Sequence, residues 1–229
     1  RRSSRRSRTA SCSCSAADWD QRYSANPAGY GTEPNAFVRQ VAEGIPDGPV
    51  LCLAEGQGRN AVYLARLGHE VLAVDQSAVG LRRARELADE RGVRVQTQVA
   101  DLADFAIAPG GWSGIVATFL HLPSELRRRV LAAAVQGLRP GGLFILEAFA
   151  VGQLGRSSGG PRSADLLLSV DLLRDELVGL ELLQLRELER VLDEGPLHQG
   201  PCLVVQALGR KPGPRGPGRR LPDLGATRV

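Results

Sequence analysis

The chain lacks methionine altogether and holds only three histidines and four cysteines in 229 residues, while tryptophan, tyrosine and phenylalanine together supply just 4%. Without methionine, residue 1 is not a translation start, and the sequence is expected to be processed, truncated or a gene-model fragment. So few cysteines and histidines leave little room for metal chemistry. Cys52 and Cys202 lie in apolar, strand-like runs and read as small buried hydrophobes. Cys12 and Cys14 form a C-x-C pair with no second cluster at zinc spacing. Neither a metal nor a structural disulfide is expected. No apolar run approaches the roughly 20 residues that cross a bilayer, so a soluble protein with no membrane partner is expected.

Acidic residues are absent from residues 1–17, which hold five arginines, and residues 210–229 set six Lys or Arg against one Asp. The formal charge of the whole chain is +4, so removing these two stretches, each +5, leaves −6 on the middle. An acidic centre argues against nucleic acid as a partner of the folded part. The Arg/Ser-rich start, "RRSSRRSRTASCSCSAA", and the Pro/Gly-rich end, "GRKPGPRGPGRRLPDLGATRV", read as disordered basic tails. The expected organisation is a tail over 1–17, one domain over 18–209 and a tail over 210–229. The location is expected to be cytoplasmic, or organellar if the first tail is a transit peptide. A monomer is expected.

The middle alternates between two periodicities. "PVLCLA" (49–54), "EVLAVD" (70–75), "VRVQTQVA" (93–100), "SGIVATFL" (113–120) and "GLFILEAF" (142–149) read as strands, and amphipathic helical stretches separate them. In "LPSELRRRVLAAAVQGLRPGG", Ser124 is the helix start signal, Pro140 and two glycines the stop, and Arg127, Arg128 and Arg129 a solvated face. A helix around "DLLRDELVG" leads into two strand-like runs joined by "DEGPLHQG", an antiparallel pair at the end of the sheet. The fold class expected is α/β, with a doubly wound, mostly parallel sheet whose ligands bind at the carboxyl ends of the strands.

"VLCLAEGQGRNA" (50–61) sets Glu55 against a glycine turn. Gly56, Gly58 and Ala61 fit G-x-G-x-x-A, and Asp75 follows Gly56 by 19 residues, so a nicotinamide dinucleotide enters as one candidate ligand. A carboxylate at Glu55 would repel its pyrophosphate. A cationic nucleoside such as S-adenosylmethionine reverses that sign and still offers a ribose to Asp75. Asp101 ends the third strand, placed to accept from an adenine amine while the Leu102 N–H donates to the ring. Capping of the following helix is the alternative for each acid, and less expected for all three.

"LCLAEGQGRNAVYLA", "VLAVDQS", "VADL" and "LRPGGLFILEAF" resemble the successive motifs of class I S-adenosylmethionine-dependent methyltransferases, from about Trp19 to Lys211. "WDQRYS", "YGTEPNAFV" and "EGQGRNA" are most similar to the tellurite-resistance and thiopurine-type members. The resemblance implies a seven-stranded sheet with a terminal antiparallel hairpin, S-adenosylmethionine as cofactor, and a small thiol or chalcogen acceptor. It implies cofactor contacts from Glu55, Gly56, Gly58, Asp75, Gln76, Asp101 and Leu102, with Trp19, Arg22 and Tyr23 as part of a lid. Acceptor-side candidates follow strands four to six: Thr118, His121, Glu147, Gln153, Arg190 and His198. His121 is the candidate general base, and Arg190 with His198 the candidate oxyanion binders, the alternative being a solvated surface hairpin. His69 enters a strand and reads as structural. The "TFLHLP" segment lacks the Asn/Asp-Pro-Pro-Tyr/Phe sequence of nucleic-acid amino-methyltransferases, which favours a small-molecule acceptor. Two rivals stay open: a nicotinamide-dependent oxidoreductase, and a non-catalytic binding module of the same fold.

Overall fold

A computed structural model of the chain describes residues 15–213. The tails expected over 1–17 and 210–229 lie almost entirely outside the described residues.

Two short helices, α1 (Ala16–Ala25) and α2 (Ala36–Val41), precede the sheet. The alternation then runs β1 (Val50–Leu53), α3 (Arg59–Arg66), β2 (Val71–Asp75), α4 (Ala78–Glu90), β3 (Gln96–Val99), β4 (Trp112–Thr118), α5 (Ser124–Gly137) and β5 (Leu138–Phe149). It closes with α6 (Val170–Glu176), β6 (Glu181–Asp193) and β7 (Gln199–Arg210). The seven strands stand in the order β3-β2-β1-β4-β5-β7-β6. β1 to β5 pair in parallel, and β7 pairs antiparallel with both β5 and β6. The order reverses between β1 and β4, which puts the switch point, the usual ligand crevice of such sheets, at the carboxyl ends of those two strands.

Burial explains the apolar runs. Leu51 and Leu53 of β1 join one core cluster, with α5 and α6, while Val50 and Cys52 join another, with α2, α3 and α4. A strand covered on both faces has no side left for polar residues. The edge strand β3 reads Gln-Thr-Gln-Val because it is mostly exposed. Cys52 and Cys202 are free and buried, as small hydrophobes should be. Among the described residues no helix is long and apolar enough to cross a membrane.

Two local expectations need correction. Ser124 does not cap α5; it is the first helical residue, and its N–H donates to Asp165 Oδ2 at 3.1 Å. Nor is Arg127 solvated. It is buried and donates to Glu176 from Nε and Nη2, each at 3.0 Å, and to the Asp165 carbonyl at 2.9 Å. Helical periodicity alone does not say that α6 packs over that turn of α5.

Candidate active site

At the switch point the chain leaves β1 through Ala54, Glu55, Gly56, Gln57 and Gly58 and enters α3. Ala54, Gly56 and Gly58 have φ of 50°, 62° and 89°. Gly58 is obligatory for a second reason. A Cβ there would stand 2.5 Å from the Ala84 Cβ and 2.6 Å from its Cα, so only glycine lets the start of α3 approach α4 this closely.

Glu55 Oε1 accepts from the N–H groups of Asn60 at 2.9 Å and Ala61 at 2.8 Å, capping α3. Burial pushes its carboxyl up to about 7 against the pull of those N–H groups and the Arg59 charge. Asp75 accepts from the Gly56 N–H and the Ser77 N–H, each at 2.8 Å, and burial raises its pKa too. Asp101, exposed, accepts from the Ala103 N–H at 2.8 Å. Of the three, only Glu55 caps a following helix: the Ser77 hydroxyl caps α4 by accepting from the Gly80 N–H, and among the described residues no helix separates β3 from β4, so capping of the following helix by all three acids, the less expected outcome, is not found. The turn after β1 brings the free N–H groups of α3 to Glu55, whereas Asp75 and Asp101 each accept from the N–H two residues further on in their own loops. Capping does not exhaust a carboxylate with about four lone-pair sites. The three acids still line the carboxyl ends of the adjacent strands β1, β2 and β3, with Gln76 and Leu102 partly buried beside them.

Above this rim lies α1. Asp20 Oδ1 accepts from the Ser77 hydroxyl at 2.5 Å and the Val79 N–H at 3.1 Å, docking α1 on α4. Tyr23 is buried, its hydroxyl against Gly56 and its ring against Gly80, so a side chain at Gly56 would collide with it. Trp19 stacks on Tyr23 with centroids 5.5 Å apart, and the Arg22 guanidinium sits 4.9 Å over the indole. Trp19, Arg22 and Tyr23 thus form one stack, with Tyr23 packed on the glycine turn.

Rings continue from there across the switch point. Tyr30 packs on Tyr23 and meets His198 edge-on at 4.7 Å; Phe119 meets the other side of His198 at 4.5 Å; Phe149 contacts Phe119 and stacks parallel to His121 at 5.9 Å. Five of the chain's ten aromatic residues and two of its three histidines are gathered here. Phe119 has φ of 51°, so both positive-φ non-glycine residues among those described, Ala54 and Phe119, follow the strands flanking the switch point. Strained backbone is characteristic of such sites.

The histidines differ from a solvated pair. Burial drives His121 down to about 4, with nearby His198 adding to the effect, so the imidazole is neutral at neutral pH; its Nδ1 is buried with no hydrogen-bond partner among the described residues. His198 is buried in the hairpin, and desolvation lowers its pKa against the opposing pull of Glu194. Arg190 is already paired. Its Nη1 donates to Glu147 Oε1 at 2.7 Å and its Nη2 to Glu194 Oε1 at 2.9 Å, which commits the guanidinium to two carboxylates. Glu147, fully buried, also accepts from Asn35 Nδ2 and Gln206 Nε2, each at 2.6 Å. Gln153 is structural: its amide oxygen accepts from the Leu203 N–H and its nitrogen donates to Ser158 and the Gly159 carbonyl. Thr118 Oγ1 accepts from Asn60 Nδ2 at 2.9 Å, tying β4 to α3.

A pH signature follows. A histidine near 4 when folded and near 6.5 when unfolded binds its proton preferentially in the unfolded state. Its contribution is intact above 6.5 and lost as pH falls from 6.5 towards 4. Denaturant unfolding of the wild type is expected to lose more stability between pH 7 and 5 than that of His121→Phe, and equal losses would contradict the burial assigned to the ring.

Sequence reasoning missed Asn35, Arg59, Asn60 and Glu194. Asn35 carried a readable signal, a residue of cap type just before a helix, and it does accept from the N–H groups of Phe37 and Val38.

Residues 50–142 match the family described as Methyltransferase domain. That match spans 93 of the chain's 229 residues. A 126-residue stretch, 54% of the chain, is 29% identical to the 2-heptyl-1-hydroxyquinolin-4(1H)-one methyltransferase of Mycobacteroides abscessus, and the match spans 56% of that relative. The chain thus covers little more than half of its length. Among solved structures, TehB from Haemophilus influenzae superposes with a TM-score of 0.66 at 21% identity, over 84% of this chain and 67% of the other. A structure described under the conversion of a disulfide bond into a thioacetal group during echinomycin biosynthesis also gives 0.66, at 22% identity over 86% and 92%. These likenesses establish the Rossmann-like methyltransferase fold, the seven-stranded sheet and end hairpin expected. The methyl donor that goes with a methyltransferase domain of this fold is S-adenosylmethionine. The residues fit it: carboxylates stand at three successive strand ends, and Tyr23 gives aromatic cover over the glycine turn.

Proposed function

We propose that the chain transfers a methyl group from S-adenosylmethionine to a small-molecule acceptor by in-line displacement. One observation carries the reading: the rings and the two histidines converge beside the methyltransferase domain's glycine turn. Glu55, Gly56, Gly58, Asp75, Gln76, Asp101 and Leu102 hold the donor, with Trp19, Arg22 and Tyr23 above it. Bound there, the donor supplies an electrophilic methyl on a sulfonium that departs as a neutral thioether.

The protein's share is alignment and water exclusion, which lowers such a barrier by several kcal/mol. Phe119, Phe149 and Tyr30 offer flat apolar walls to the acceptor. His121 Nδ1, neutral and without a hydrogen-bond partner among the described residues, is the place for a proton leaving an acidic acceptor hydroxyl or thiol. A planar acceptor agrees with the quinolone named for the Mycobacteroides abscessus relative. The narrower tellurite-resistance or thiopurine-type placement, with a thiol or chalcogen oxyanion as acceptor, draws on the likeness to TehB. Pairing of Arg190 with two carboxylates weighs against the oxyanion.

Calorimetry is expected to give binding of S-adenosylmethionine and none of NAD. A panel of thiols, selenite, tellurite, halides and hydroxylated aromatics, read by S-adenosylhomocysteine release, is expected to respond to the aromatics. NAD binding in place of S-adenosylmethionine overturns the reading.

A further inference from the structure

Buried polar atoms almost always have partners, yet three without one meet at a single place in this cleft. Arg59 and Glu194 have side chains only 7% and 6% exposed, and Arg59 Nη2 stands 2.8 Å from Glu194 Oε2. Arg59 Nη1 nonetheless has no hydrogen-bond partner among the described residues, and Glu194 Oε2 has no aligned donor. His198 Nδ1, on a side chain 8% exposed, is the third such atom, 3.8 Å from the same Oε2 and beyond hydrogen-bond reach of it. The rest of the network is complete. Glu194 Oε1 accepts from Asn35 and Arg190, and both oxygens of Glu147 are taken.

We propose that Arg59, Glu194 and His198 form an anchoring subsite for a neutral hydroxyl group on a planar aromatic acceptor. This rests on the methyl-transfer reading above and names the chemistry of its acceptor side. A guest here must accept from a guanidinium and donate to a carboxylate. A hydroxyl does both with one oxygen. A carboxylate or an inorganic oxyanion would face Glu194 with like charge, and an ammonium would face Arg59. The formal charges of the network, two arginines against two glutamates, cancel and give a bare anion no net attraction. The ring that bears the hydroxyl falls where rings already are, since Tyr30 and Phe119 meet His198 edge-on from two sides.

Naphthol, methoxynaphthalene and naphthoate separate the alternatives, because they share one ring system and differ in donating, only accepting, or carrying a negative charge. With S-adenosylhomocysteine bound, fluorescence titration is expected to show naphthol binding at least about tenfold tighter than either of the others, the size of one well-made hydrogen bond to a charged group. Glu194→Gln is expected to shrink that preference to within about threefold while leaving S-adenosylhomocysteine affinity within about twofold. Equal binding of the three probes by the wild type overturns the subsite, with no variant needed. So does a loss of nucleoside affinity in Arg59→Met or Glu194→Gln with naphthol binding unchanged, which would assign the atoms to the cofactor. The titrations are repeated without nucleoside. Failure of the wild type to bind S-adenosylhomocysteine then sinks the methyl-transfer reading, and the ranking of the probes still decides the subsite.

Discussion

Glu147→Ala is expected to cost about 3–5 kcal/mol of unfolding free energy, the range seen when one member of a buried ion pair is removed. Its carboxylate is fully buried in β5 and accepts from Arg190, Asn35 and Gln206. Truncation leaves the Arg190 guanidinium, on a side chain 15% exposed, with Glu194 as its single carboxylate. It also strips an acceptor from two buried amides. The double variant Glu147→Ala, Arg190→Met removes the stranded charge with the carboxylate and is expected to recover a substantial part of the loss. Urea unfolding of both reads this directly. A single-variant cost below about 1 kcal/mol would mean that water reaches Arg190 and that the pair is not desolvated.

Asp75→Ala is expected to weaken S-adenosylmethionine binding by at least about tenfold, or roughly 1.4 kcal/mol, through loss of charge-assisted contacts. On the proposed reading Asp75 acts twice: it would hold a ribose, and it accepts from the Gly56 N–H, which fixes the glycine turn. Asp75→Asn separates the two. Its amide oxygen still serves the Ser77 N–H, but its NH₂ then opposes the Gly56 N–H, donor against donor. The asparagine variant is therefore expected to bind nearly as poorly as the alanine one, despite its matching shape. Calorimetry with a thermal melt as folding control checks this, and affinities within about twofold of wild type in both variants reject the placement.

Fold legibility followed from periodicity. Strands buried on both faces read as apolar runs, as Val50 to Leu53 shows, and the residues of the glycine turn carry their own backbone chemistry. What was hidden was non-local. Asn35 reaches Glu194 across 159 positions and Glu147 across 112, and no spacing rule links them. For the same reason the sequence left Arg190 and His198 between oxyanion binders and a solvated hairpin, whereas His198 is buried against Tyr30 and Phe119. Glu55, Asp75 and Asp101 were legible as strand-end acids, but their backbone partners were not. Their backbone duties, above all that of Glu55, depend on how soon a helix follows the strand.

The two sides of the cleft are fastened by different means. On the β5–β7 side, buried ions and amides lock α2, α3 and the hairpin to the sheet, so opening that wall would strand charges in an apolar interior. Overhead, α1 docks through Asp20, ring contacts and the Arg22–Tyr30 hydrogen bond, and Tyr23 is its buried residue. Local opening is therefore cheaper overhead than at that wall, and on the methyl-transfer reading proposed above a nucleoside would enter and leave past α1 while the acceptor side stays braced.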